Sequence, residues 1–400
     1  MNQSVEKIFI EKSKSIEEKM ESDFAYTSIF RESIKVAMNE GASDIHVEPI
    51  ENGLDIRIRV FGELYLWKRL TLIHREGYIR EVKQLCNLSI AIVGKTQDSS
   101  VTFQNWKLKL RANVIPSTDG DSIVLRLIDI SKEVELEKAG FSPDVYKNLL
   151  ALKDFKMGLC VFSGPTGSGK SKTLNGVINN IDRVKNKVIT LENPVEYPII
   201  GATQVEIKKN LSFSDALRAC MRQDPDILLI GEIRDKETAH LAVEAAATGH
   251  LVFSTIHANS SVEVVKRLVD TFGVDKELLK SVFKFSSAQR LVQKICDNCF
   301  QLASVEDSKG FEDRANKNWY LSRENHEYLR LKNSSGCSQC RKGVVGRLPI
   351  LESIAGESLK SVFDNQDILI DKDRLFNNSL NHLARGKTCV KEVMQIDESS

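Results

Sequence analysis

The chain has 400 residues, 42% of them hydrophobic and 28% charged, and a formal net charge of +1. That length suits roughly two to three domains with their own cores, and the near-neutral balance removes any overall electrostatic case for nucleic acid or an anionic membrane. No apolar run reaches the ~18 residues of a spanning helix and the N-terminus lacks a secretion-signal layout, so a cytoplasmic location is expected, with membrane contact only through partners.

Residues 1–23 are rich in lysine and glutamate and read as an N-terminal tail or solvated helix. Over 27–39 the spacing of Ile29, Phe30, Ile34, Val36 and Ala37 predicts a helix that stops at Gly41. Leu54, Ile56, Ile58 and Val60 then alternate with Asp55, Arg57 and Arg59, as in a half-buried strand. Similar runs at 101–114 and 122–129, around the turn at 118–121, complete a small α+β domain over 24–130. Residues 131–153 are charged, helical in pattern and read as a linker.

From 154 to 295 short apolar strands at 158–163, 188–192, 226–230 and 251–256 alternate with helical stretches. That order predicts an α/β domain built on a largely parallel, doubly wound sheet. Two cysteine pairs follow within 296–340, around a polar insertion at 300–336, and 341–400 reads as a helical C-terminal part. Cys86, Cys160, Cys220 and Cys389 stand alone and read as small buried side chains.

The first chemical signal is Gly164, Pro165, Thr166, Gly167, Ser168, Gly169, Lys170 and Ser171, directly after an apolar strand and before a helix that takes in Lys172 and Thr173. Such a glycine loop turns successive N–H groups inward onto phosphate oxygens, aided by the helix N-terminus. Lys170 can reach the β- and γ-phosphates and the Ser171 hydroxyl can ligate Mg²⁺, so the expected ligand is a nucleoside triphosphate with Mg²⁺.

Catalysis needs a carboxylate near the metal and a group that orients water. The strand Asp226–Ile230 leads through Gly231 to Glu232, which can hold the magnesium shell or polarise water. Glu192 ends another strand and is the preferred general base, with Glu196 a second carboxylate and Asn193 between them. Either acid could instead be a loop residue closing a turn. His250 and His257 flank one strand, either as sensors of the γ-phosphate or as structural residues. Cys296, Cys299, Cys337 and Cys340 form two C-x-x-C knuckles, the pattern of a closed tetrahedral Zn²⁺ site; disulfides are the alternative.

Taken together, the phosphate loop, the 191–197 acidic box, the 222–235 acidic strand end and the 248–257 histidine box resemble the type II secretion and type IV pilus assembly ATPases. Residues 42–49 and the Arg57–Arg59 segment resemble that family's N-terminal half, and the resemblance runs from about residue 24 to about 395. It implies a PAS-like N-terminal domain, a RecA-like P-loop NTPase domain with a zinc-binding C-terminal element, a hexameric homo-oligomer and an inner-membrane platform protein as partner. It also implies ATP in an inter-domain cleft, with arginines from the N-terminal domain completing the site; Arg57, Arg59, Arg111 and Arg126 are the candidates.

Asn193 stands where the family has an aspartate, and the additional N-terminal domain of larger members is not expected here. The assembly-type members of that family carry a tetracysteine element that retraction-type relatives generally lack, so the resemblance implies assembly rather than retraction of a fibre. The alternatives are a weakly active or non-hydrolysing subunit, suggested by Asn193, and a nucleic-acid motor, opposed by the charge balance and by the lack of an aromatic-basic face.

Overall fold

The computed structural model describes residues 24–131, 133–208, 210–303, 329–364 and 374–396. The expected N-terminal tail, and most of the polar insertion between the cysteine pairs, lie outside the described residues. Two compact units divide the chain, Met1–Lys132 and Glu133–Ser400.

The first unit runs α1 (Phe24–Asn39), β1 (Ala42–Ile50), β2 (Gly53–Val60), β3 (Glu63–Thr71), α2 (Leu72–Leu85), β4 (Gln97–Phe103), β5 (Leu108–Ser117) and β6 (Gly120–Asp129). Its strands form a six-stranded sheet in the order β3-β2-β1-β6-β5-β4, and each neighbouring pair is antiparallel. Period-two patterning decides which face is dry: Leu54, Ile56, Ile58 and Val60 are buried in one core with Ile29, Phe30 and Ile34 of α1 and Tyr78, Ile79 and Val82 of α2.

The opposite face carries the arginines. Cross-strand register aligns Arg59 with Asp44, Asp44 with Arg126, and Arg126 with Arg111. Residues directly opposite share a face, so one row across four strands holds three guanidiniums around a carboxylate. Arg126 Nε donates to Asp44 Oδ1 at 3.0 Å, and Arg57 pairs with Glu48.

The second unit begins with α3 (Pro143–Ala151) and continues β7 (Gly158–Ser163), α4 (Lys170–Asn179), β8 (Val188–Glu192), β9 (Thr203–Glu206), α5 (Phe213–Met221), β10 (Ile227–Ile230), α6 (Lys236–Ala247) and β11 (Leu251–Ile256). It goes on through α7 (Ser261–Lys266), α8 (Lys276–Val282), β12 (Phe283–Ile295), β13 (Gln301–Leu302), β14 (Arg330–Leu331), β15 (Val344–Ala355), α9 (Gly356–Phe363), α10 (Arg374–Ala384) and α11 (Val390–Met394). Its main sheet has the order β15-β12-β7-β11-β10-β8-β9 and is parallel apart from β15.

Both faces of this sheet are covered, which is why its central strands are mostly apolar, with Ile227–Ile230 apolar throughout. Leu159, Val161, Leu228 and Ile230 pack toward α5, α6, α7 and α8. Their neighbours Cys160, Phe162, Ile227 and Leu229 pack toward α3 and α4. No helix among the described residues is long and apolar enough to cross a membrane.

Sequence patterning did not reveal β12 and β15. The stretch after 341, read as helical, opens with β15, twelve residues paired antiparallel with β12. In β12 Ser286, Ser287, Gln289 and Arg290 are all buried, so polar residues interrupt the apolar pattern that marks the other central strands.

Candidate active site

A parallel sheet brings the ends of its strands to one edge, and this edge collects the predicted groups. The phosphate loop follows β7, Glu192 ends β8, Glu232 lies two residues beyond β10, and His257 directly follows β11. Register places Leu191 beside Ile230 and Ile230 beside Ser254, so these ends are level. Because β7 lies between β11 and β12, the chain reverses its strand order here, the kind of switch point beside which open α/β sheets bind ligands.

The loop from Gly164 to Gly169 is built for close approach. Gly164 has φ +143°, and a Cβ there would overlap the backbone oxygen of Gln289. Lys170 Nζ folds back to donate to the carbonyls of Gly164 at 2.6 Å and Pro165 at 3.0 Å. Burial pushes its ammonium below the ordinary lysine value and the Arg290 guanidinium acts the same way, while Glu232 and Glu196 oppose them.

Pro165, Thr166, Gly167, Ser171 and Lys172 are exposed, whereas Ser168 is buried and its hydroxyl has no hydrogen-bond partner among the described residues. A buried unpartnered donor beside a cation and a helix N-terminus fits an anionic oxygen. Thr173, grouped with the loop from sequence, is buried and donates to Gln289 Oε1 at 2.8 Å.

Glu192 is buried, with Oε1 accepting from Thr190 Oγ1 at 2.7 Å and from Gln204 Nε2 at 3.0 Å. Burial raises its pKa above the ordinary carboxylate value, opposed by these two donors. Gln204 also donates to Tyr197 O and accepts from Ile199 N, so it ties the carboxylate to the loop after β8. Asn193 is exposed at that loop's start, whereas Glu192 is buried.

Glu232 has both oxygens engaged, Oε1 with His257 Nε2 at 2.9 Å and Oε2 with Arg234 Nε at 2.7 Å. Gly231 permits the close packing of β10 on β8: a Cβ there would stand 2.9 Å from Leu191 O and 3.4 Å from Glu192 Cα. His250 lies at the other end of β11, roughly 20 Å away along an extended strand. Its Nδ1 is 2.9 Å from Ala245 O, a tie to the end of α6. The site edge thus gathers His257 but not His250. Arg57, Arg59, Arg111 and Arg126 belong to the first unit, on the sheet face described above.

The four knuckle sulfurs converge. All lie within 4.8 Å of one another, with Cys296–Cys337 at 3.8 Å, Cys299–Cys340 at 3.5 Å and Cys337–Cys340 at 3.6 Å. Zn–S bonds of about 2.3 Å in a tetrahedron put sulfurs roughly 3.8 Å apart, so this thiol set fits zinc. These distances are well beyond an S–S bond of about 2.05 Å.

Sequence reasoning missed Gln204, Arg234, Gln289 and Arg290. Arg234 lies two residues after Glu232 and Gln204 twelve after Glu192. The last pair sits more than a hundred residues from the loop that Gln289 touches.

Residues 19–395 match the family model described as "Type II/IV secretion system protein". The type II secretion system ATPase E of Vibrio cholerae is 32% identical over 95% of this chain and 77% of its own length. The type IV pilus assembly ATPase PilB of Thermus thermophilus is 36% identical over 80% of this chain, which spans 36% of that relative. Among solved structures, the pilus retraction motor PilT with bound ADP is 26% identical with a TM-score of 0.62, covering 91% of this chain and 95% of that one. The Legionella pneumophila ATPase DotB, at 22% identity and a TM-score of 0.68 over 93% and 96% of the two chains, shares the fold.

Proposed function

This chain belongs to the type II/IV secretion system protein family and is an ATPase, and from that premise we propose that it works as a homo-hexamer powering assembly of a type IV pilus or type II secretion pseudopilus. In this reading its partner is an inner-membrane platform protein, and it acts from the cytoplasmic face. The observation that carries the reading is the shared carboxyl edge on which the phosphate loop, Glu192, Glu232 and His257 meet.

Backbone N–H groups of 164–171 and Lys170 hold the polyphosphate. Glu192 takes the proton of a water whose oxygen attacks the γ-phosphorus; the bond to the bridging oxygen breaks, and its electron pair leaves with ADP. Burial suits Glu192 to this role, because a carboxylate poised above its ordinary pKa is a stronger base. Gln204 keeps it pointed. Ser171 and Glu232 offer oxygen donors suited to Mg²⁺, which when bound neutralises phosphate charge. Glu196 adds negative charge near Lys170, and His257 steadies Glu232. Asn193 is exposed, and in this reading turnover does not need an aspartate at that position because Glu192 is the base.

The first unit is read as PAS-like, and its Arg57, Arg59, Arg111 and Arg126 as charge-neutralising groups for the nucleotide; His250 is read as a tie that transmits strain. Cys296, Cys299, Cys337 and Cys340 are read as a structural zinc site, which with the assembly-type relatives favours fibre extension.

Steady-state phosphate release by the purified oligomer tests the reading, with Lys170→Ala and Glu192→Gln as variants and duplex DNA added in parallel. Turnover lost in both variants and indifferent to DNA supports it. Unchanged turnover in both removes the site assignment, and strong DNA stimulation moves the chain to nucleic-acid motors.

A further inference from the structure

The phosphate loop is held from outside its own turn. Gln289 on β12 is 1% exposed, donates from Nε2 to Ser168 O at 2.6 Å, and accepts at Oε1 from Thr173 Oγ1 at 2.8 Å. Its backbone oxygen packs so closely on Gly164 that no side chain fits there. One residue therefore touches the start of the loop, its later part, and the first turn of α4.

The next residue extends this contact. Arg290 donates from one terminal nitrogen to Gln289 O and from the other to Asn259 O, both at 3.1 Å. Asn259 lies two residues after His257, whose ring meets Glu232. A chain of direct contacts thus joins the phosphate loop to the turn that carries the partner of Glu232.

The residue type is demanding. Ser168 O needs a donor and Thr173 Oγ1 needs an acceptor, in a buried place where a charge would be penalised. A primary amide supplies both without charge. A methionine would fill similar volume and supply neither.

We propose that Gln289 is a positioning residue of the nucleotide site, setting the shape of the phosphate loop from the neighbouring strand before the polyphosphate arrives. The proposal rests on the ATPase reading above and adds to it a residue that touches no substrate. Lys170 and Ser171 supply groups to the nucleotide; Gln289 fixes the backbone from which they project.

The test measures Kd for ADP and for a non-hydrolysable ATP analogue, KM and kcat for ATP, and the thermal midpoint of nucleotide-free full-length protein. Gln289→Met is expected to raise both Kd values and KM about tenfold, the size of effect of one or two lost buried hydrogen bonds. Its kcat stays within about threefold, because Glu192 and Glu232 stand on other strands. Thr173→Val, which removes the partner hydroxyl, shifts Kd the same way and adds little on top of Gln289→Met, whereas Thr173→Ser binds like the parent. Kd within twofold of the parent in both Gln289→Met and Thr173→Val overturns the proposal, as does a fall in kcat at unchanged Kd and KM. Lys170→Ala separates the two levels: if it too binds nucleotide like the parent, the nucleotide-site reading fails; if it alone loses binding, only the role of Gln289 fails.

Discussion

His257 and Glu232 face each other from neighbouring strand ends, with imidazole Nε2 2.9 Å from carboxylate Oε1. Arg234 holds the other oxygen, so the Glu232 carboxylate is gripped from both sides. A carboxylate with one partner removed keeps its charge but loses its aim. With Glu232 in its proposed role beside the metal, His257→Asn is expected to lower kcat about 10- to 100-fold, the usual cost of removing a residue that orients a metal-site group. Nucleotide affinity should stay within about twofold, because the phosphate loop is untouched. Phosphate release and equilibrium binding, measured side by side, check both halves.

As the proposed general base, Glu192 must be ionised to take a proton, and burial raises its pKa above the ordinary carboxylate value. Turnover should therefore fall as pH drops, with the acid limb centred above the ~4.3 of an unperturbed glutamate. Gln204 Nε2 donates to this carboxylate and favours its charged form. Gln204→Leu removes that donor, raises the pKa further and should move the acid limb to higher pH. Glu192→Gln should cost about 10²- to 10⁴-fold in kcat while nucleotide still binds. A pH–rate profile that does not move in Gln204→Leu would contradict the assignment of Glu192 as base.

In the first unit Lys83 of α2 and Asp121 at the start of β6 form an ion pair with almost no exposure. Removing one member strands the other's charge in the core. Lys83→Met is expected to destabilise by about 3–5 kcal/mol, while the double variant Lys83→Met/Asp121→Leu should recover most of that loss. Denaturant unfolding of the three proteins gives the comparison.

The four converging thiols should bind one zinc ion per chain. Cys299→Ser and Cys340→Ser are each expected to lose it and to lower the thermal midpoint by about 5 °C or more, with each kcal/mol worth about 2–4 °C. Metal analysis and a melting curve with and without chelator measure this. Zinc retained in both variants would exclude the cluster as the binding site.

Much of this molecule was legible from local pattern. The strands at 158–163, 188–192 and 251–256 match the structure residue for residue, because strands buried on both faces are predominantly apolar. Asn193 and Glu192 show the limit of that reading. They are adjacent in sequence and both polar, yet one is exposed and the other buried, a difference that depends on which side of the strand end is packed.

What the sequence determined by itself was the set of local devices: the phosphate loop after its strand, acids at strand ends, paired cysteines, and the alternating face of the first unit. Each is written in residues close together in the chain. Tertiary structure alone decided which of them meet. Parallel pairing brought His257 to the site edge and left His250 at the opposite one, and it put Gln289 against a loop some 120 residues earlier. The reason is physical: a glutamine's worth depends on the donor and acceptor it faces once buried, and those partners come from strands whose adjacency no local pattern encodes.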